Sequence, residues 1–181
     1  MHPPISLIPL TSLLTSLLLS TTTSAQTVYL IRHGEKPSDD GDGLSVLGMQ
    51  RAQCLRNIFG NGSVFDIGYI MAQTPKKNGK RSRPLATVQP LATDLNLIVD
   101  ASCDRDDAKC VADVVNGYSG VGNILVCWEH DSLTGIVEAL GDKNAPKYDD
   151  DAFDIIWTDP KPFTAITEMS SENCSGLDTG F

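Results

Sequence analysis

The stretch "VYLIRHGEKP", Val28–Pro37, sets the reading of the whole chain, because an unbroken apolar run stops at Arg32, His33, Gly34 and Glu35. A run without polar interruptions fits a strand covered on both faces, as in a parallel sheet. The charged residues then stand at the strand's carboxyl end. In open α/β sheets that is where ligands gather.

Four more runs, "IGYIMAQ", "NLIVDAS", "NILVCWEH" and "FDIIWT", have the same character. Segments with helical spacing separate them. Gly48, Ala52, Leu55 and Phe59 fall on one face of Ser45–Gly60, with Gly60 placed to cap its end. Pro84 suits the first turn of a helix carrying Leu85, Val88, Leu91, Ala92 and Leu95. Val111, Val114 and Val115 before Gly117 predict a third helix, and Leu133, Ile136, Val137 and Leu140 before Gly141 a fourth. Strand-then-helix order predicts an α/β fold with a doubly wound, mostly parallel sheet flanked by helices in three layers, joined by right-handed crossovers.

Residues 1–25 hold no Lys, Arg, Asp or Glu, and "SLIPLTSLLTSLLLS" precedes the small residues "TTTSA". This is the pattern of a secretory signal peptide ending near Ala25. Ser and Thr break the apolar run, which falls short of the ~20 residues a membrane span needs. No stable membrane association is therefore expected after cleavage. Residues 26–181 suffice for a single domain around one core.

A net charge of -9, from 14 basic and 23 acidic residues, argues against nucleic acid and anionic lipid as partners. Any anion site in such a chain has to be a local concentration of arginine. The five cysteines suggest two disulfides and one free thiol. Cys103 and Cys110 are close enough to clip a loop, Cys127 lies inside an apolar run, and Cys54 and Cys174 remain as a second pair. Asn61-Gly62-Ser63 and Asn173-Cys174-Ser175 are glycosylation sequons. Cysteine and histidine spacing suggests no metal site.

Two histidines finish two of the apolar runs: His33 the first, and His130, followed by Asp131, the fourth. Arg32 adjoins one of them, and Arg83 opens the helix after the second run, at the same end of the sheet. Two guanidinium groups and two imidazoles at one rim suit a phosphoryl group, whose oxygens accept bidentate arginine bonds and whose charge fixed donors stabilise through reaction. A neutral imidazole is a competent nucleophile near pH 7. Most of the charge in "KKNGKRSR" reads as solvated surface.

At this point the chain resembles the histidine phosphatase superfamily, also called phosphoglycerate mutase-like. "LIRHGEK" is similar to its signature, in which the histidine after the arginine becomes phosphorylated. "LSVLGMQRAQCL" resembles its Leu-Ser, Gly and Gln/Arg-Ala helix, "RPLAT" its Arg-to-Thr element, and "ILVCWEH" the strand ending in the second histidine. The resemblance implies a phosphatase acting on phosphorylated small molecules or peptides, with no metal and no cofactor. It implies His33 as nucleophile, Arg32, Arg83 and Glu35 on the substrate, and His130 donating to the phosphoryl oxygens. Two places depart from the pattern. Gln73-Thr74-Pro75 stands where the family often has Ser-Pro, and Glu129-His130-Asp131 where it commonly has Ser-His-Gly. The proton donor is thus open among Asp131, Asp106 and Asp107, while alternation along a strand permits Glu129 to point away. A catalytically silent anion-binding protein and a phosphomutase are the other readings of the same pocket.

Overall fold

The structure, a computed structural model, describes residues 25–38 and 41–178. The segment read as a signal peptide lies outside the described residues except for Ala25. The opening run forms β1 (Thr27–Arg32), followed by α1 (Val46–Ile58), β2 (Ile67–Ala72), α2 (Arg83–Asp94), β3 (Val99–Asp100), α3 (Ala108–Gly117), β4 (Asn123–Trp128), α4 (His130–Leu140), β5 (Ile155–Pro160) and β6 (Glu168–Ser171). One sheet contains all six strands in the order β3-β2-β4-β1-β5-β6.

Alternation along β1 explains the three layers. Val28 and Leu30 pack with Val111, Val115, Leu133 and Ile136 of α3 and α4 on one face. Ile31 packs with Leu55, Val88 and Leu91 of α1 and α2 on the other. Each helix buries the stripe its spacing predicts, and Ser45 caps α1 by accepting from the Gly48 amide at 3.0 Å. Phe59 is the C-cap of α1, its amide closing onto Leu55, and Gly60 stands just past it as read from sequence, where a Cβ would clash with the Arg56 carbonyl oxygen, although its backbone is not left-handed.

The four strands β3, β2, β4 and β1 are parallel. "FDIIWT" is a strand, but it runs antiparallel to β1, and β6 pairs antiparallel with it. α4 returns the chain to the amino end of the sheet, where Gly141 lies beside Phe163 and Thr164 just past β5. Residues 141–154 then climb to the carboxyl rim, where the Asp150 and Ala152 carbonyls accept from Arg32, and the chain enters β5 from that end, Ile156 opposite Ile31 and Pro160 opposite Thr27. β6 was not legible, since "EMSS" is a half-exposed edge strand without an apolar run. Only two residues of "NLIVDAS" pair, and Ile98 there is 91% exposed, as befits a short edge strand.

Disulfides join Cys54 to Cys174 and Cys103 to Cys110, and Cys127 is a buried free thiol. The first clips the C-terminal segment onto α1. Among the described residues, no helix is long and apolar enough to cross a membrane.

Candidate functional site

Register alone brings the site together. Arg32 is paired with Trp128 across β1 and β4, and the His33 amide donates to the Trp128 carbonyl at 3.1 Å. The residues that leave these two strands, His33 on one and Glu129-His130 on the other, therefore emerge side by side. His130 is the first residue of α4, where the positive end of the helix favours anions.

The turn after β1 is held tightly. A Cβ on Gly34 would lie 2.9 Å from the Gly48 carbonyl oxygen, and one on Gly48 would lie 2.5 Å from that of Glu35, so both positions need glycine for α1 to approach. The Gly34 amide donates to Thr87 Oγ1 at 2.9 Å, and Thr87 Oγ1 donates to the Arg83 carbonyl one helical turn earlier at 2.8 Å. Thr87 thus ties the start of α2 to the histidine loop.

His33 is 2% exposed. Its Nδ1 lies 2.7 Å from the Gly34 carbonyl oxygen, which can only accept, so the hydrogen is assigned to Nδ1 and Nε2 faces the pocket. Nε2 lies 3.3 Å from Glu129 Oε2, and Oε1 of the same carboxylate lies 2.8 Å from His130 Nδ1. One carboxylate bridges both imidazoles. The His33 hydrogen bond and the charge of both rings hold the Glu129 carboxyl at about 2, against the opposing effect of burial. The Glu129 amide is anchored by Gln73 Oε1 at 3.1 Å, and Gln73 is buried.

The arginines are positioned but engaged. Arg32 Nη1 donates to the carbonyls of Asp150 and Ala152, both at 2.7 Å, and its guanidinium carbon lies 3.8 Å from the Phe153 ring centre. Burial lowers its pKa, opposed by nearby acidic groups. Arg83 donates through Nε to the Gly43 carbonyl at 2.9 Å and through Nη2 to that of Gly41 at 3.0 Å. It lines a cleft of about 210 Å³ together with His33, Glu129, Lys80, Arg81 and Arg105. In a chain of net charge -9 this is a marked concentration of cations. Arg81 enters the cleft from a left-handed backbone conformation, φ 63°.

The remaining sequence candidates are dispersed. Asp131 Oδ1 lies 3.4 Å from His130 Nε2, on the exposed side of the ring, and Asp150 Oδ1 approaches the same nitrogen at 3.7 Å. Asp106 sits between Arg105, at 2.6 Å, and Arg81, at 3.3 Å, and the first of these pulls its carboxyl below the usual range. Asp107 caps α3 by accepting from the Cys110 amide. Glu35 turns to Arg51, accepting its Nη2 at 2.7 Å beside Glu172 and Asp178, and so faces a neighbouring cleft. Glu129, His130 and Asp131 also bring three potential cation ligands within 4.8 Å of one another.

Glu129, Arg81 and Arg105 were the residues sequence reasoning missed. Alternation gave no guide to Glu129 because β4 ends at Trp128 and Glu129 is already the cap of α4. Its signal was the pairing register of the two histidine strands.

No protein-family model and no curated protein sequence matches the chain. Solved structures do. The protein histidine phosphatase SixA complexed with tungstate superposes with a TM-score of 0.58 at 18% identity, over 81% of this chain and 97% of that one. A protein assigned as phosphohistidine phosphatase SixA from Agrobacterium tumefaciens gives 0.57 at 11% identity, over 81% and 98%. The chain therefore adopts the histidine phosphatase fold, with both rim histidines just past the carboxyl ends of β1 and β4.

Proposed function

We propose that the protein is a secreted phosphatase that hydrolyses phosphomonoesters through a phosphohistidine on His33. The observation that carries this reading is the approach of His33 and His130 to a single carboxylate, at the wall of a cleft lined by Arg83, Arg81 and Arg105. Nε2 of His33 is the attacking atom, oriented by the bond from Nδ1 to Gly34. His130, at the positive end of α4, donates to the phosphoryl oxygens, and Arg83 and Arg32 neutralise their charge once loop carbonyls release them. Similarity to structures named as phosphohistidine phosphatases supports a phosphorylated substrate. Two disulfides and the apolar leader read from residues 1–25 support secretion, and exposed Asn61 and Asn173 are open to glycosylation.

The test is hydrolysis of an aryl phosphate by the protein and by His33→Ala. The variant is expected to be inactive, and equal rates would refute the reading. A second reading, a silent anion-binding protein, is favoured by the loop carbonyls that hold both Arg32 and Arg83. Calorimetric phosphate binding without turnover would establish it.

A further inference from the structure

The position of Glu129 is at odds with a nucleophile ready to react. Its Oε2 stands 3.3 Å from His33 Nε2, in the space a phosphorus atom has to enter. The hydrogen bonds also leave the nucleophile without a free lone pair. Nδ1 donates to Gly34, so the short approach of Nε2 to a carboxylate requires a second proton between them, since two lone pairs would repel. As drawn, the carboxylate mimics the anion the two imidazoles are built to hold.

We propose that Glu129 is the residue that protonates the leaving oxygen, and that in the resting protein it is parked on His33 until an entering phosphoryl group displaces it. The proposal rests on the phosphatase reading of the same pocket. The Glu129 backbone is fixed by Gln73, so only the side chain moves, by rotamer changes that carry a carboxylate several ångströms. Its side chain is one-fifth exposed and lines the cleft, which is the free direction. In-line displacement places the leaving oxygen across phosphorus from Nε2, on that same cleft side.

The protons balance. As the dianion enters, its charge displaces the two imidazoles as the nearest neighbour of Glu129 and raises the carboxyl from about 2, so Glu129 takes the proton it shared with Nε2 and swings out, which frees the lone pair. Nε2 then bonds to phosphorus, the bond from phosphorus to the ester oxygen breaks, and that oxygen takes the Glu129 proton. Water next attacks phosphorus from the cleft, gives a proton to the Glu129 carboxylate, and the N–P bond breaks to release phosphate. The rival carboxylates are worse placed. Asp106 is bound between two arginines, Asp107 is committed to a helix cap, and Asp131 is 73% exposed on the outer side of His130.

The experiment compares an aryl phosphate, whose leaving group needs no proton, with an alkyl phosphate, whose leaving group does. Glu129→Gln is expected to slow the alkyl ester at least about a hundredfold more than the aryl ester, since general acids contribute roughly 10²–10⁴-fold. The variant is also expected to bind tungstate more tightly than the parent, because no charged group has to be displaced. Equal losses on both esters, or no loss on the alkyl ester, would overturn the assignment. Glu129→Ser carries the same comparison should the glutamine variant fold poorly. His33→Ala separates the two levels of the argument: activity surviving there would defeat the phosphatase reading itself, independently of Glu129.

Discussion

The buried hydroxyl of Thr87 accepts the Gly34 amide at 2.9 Å while donating to the Arg83 carbonyl at 2.8 Å, so a single side chain joins the loop after His33 to the helix that carries an arginine of the cleft. Thr87→Val keeps the shape and removes both bonds, leaving a buried amide unsatisfied. Stability is expected to fall by about 1–3 kcal/mol, seen in urea denaturation. kcat/KM is expected to fall with it, while Thr87→Ser retains both.

Stability is expected to rise on mild acidification. Asp159 is fully buried, and desolvation, reinforced by Asp142, raises its pKa to about 7. An aspartate whose folded pKa lies above its unfolded 3.8 binds more protons when folded, so stability is greatest below about 4 and is lost as pH rises to about 7, by up to about 1.4 kcal/mol per pH unit. Burial acts in the same direction on Glu172, raised to about 8. Glu129 acts oppositely, withdrawing stability as pH falls from 4.5 towards 2. Denaturation midpoints of the protein and of Asp159→Asn at pH 4.5, 6 and 8 check this, and the variant is expected to lose about half of the decline, the rest staying with Glu172.

Reduction is expected to loosen the site as well as the fold. Cys54–Cys174 closes a loop of 120 residues, worth about 4–5 kcal/mol in the chain-entropy account. It also holds Glu172 against Arg51, which in turn fixes Glu35 two residues from His33. Cys54→Ser with Cys174→Ser is expected to melt at lower temperature and to lose activity before global unfolding. Activity and circular dichroism followed on one heating ramp read the difference.

The fold was legible where burial writes directly into composition. β1, β2 and β4 are covered on both faces and read as unbroken apolar runs, and the stripes of α2 and α4 read from spacing alone. Strand direction was not legible, because "FDIIWT" has the same composition whichever way the chain enters it. Of the site, His33, Arg83 and His130 could be found because strand and helix ends are marked in sequence. Glu129 and Arg105 could not, since their roles depend on how β4 pairs with β1 and on how the loop after β3 turns back over the cleft.

The parallel pairing of β1 with β4 has a consequence for how the protein comes into being. The two histidines that meet at Glu129 are separated by almost a hundred positions, and β5 must still add to the far side of β1. A nascent chain halted before residue 123 carries His33 and the cleft arginines but neither Glu129 nor His130. The two imidazoles and the carboxylate between them therefore come together only after β4 has been made, and a chain cut anywhere between the two histidine strands leaves no half that carries all three groups.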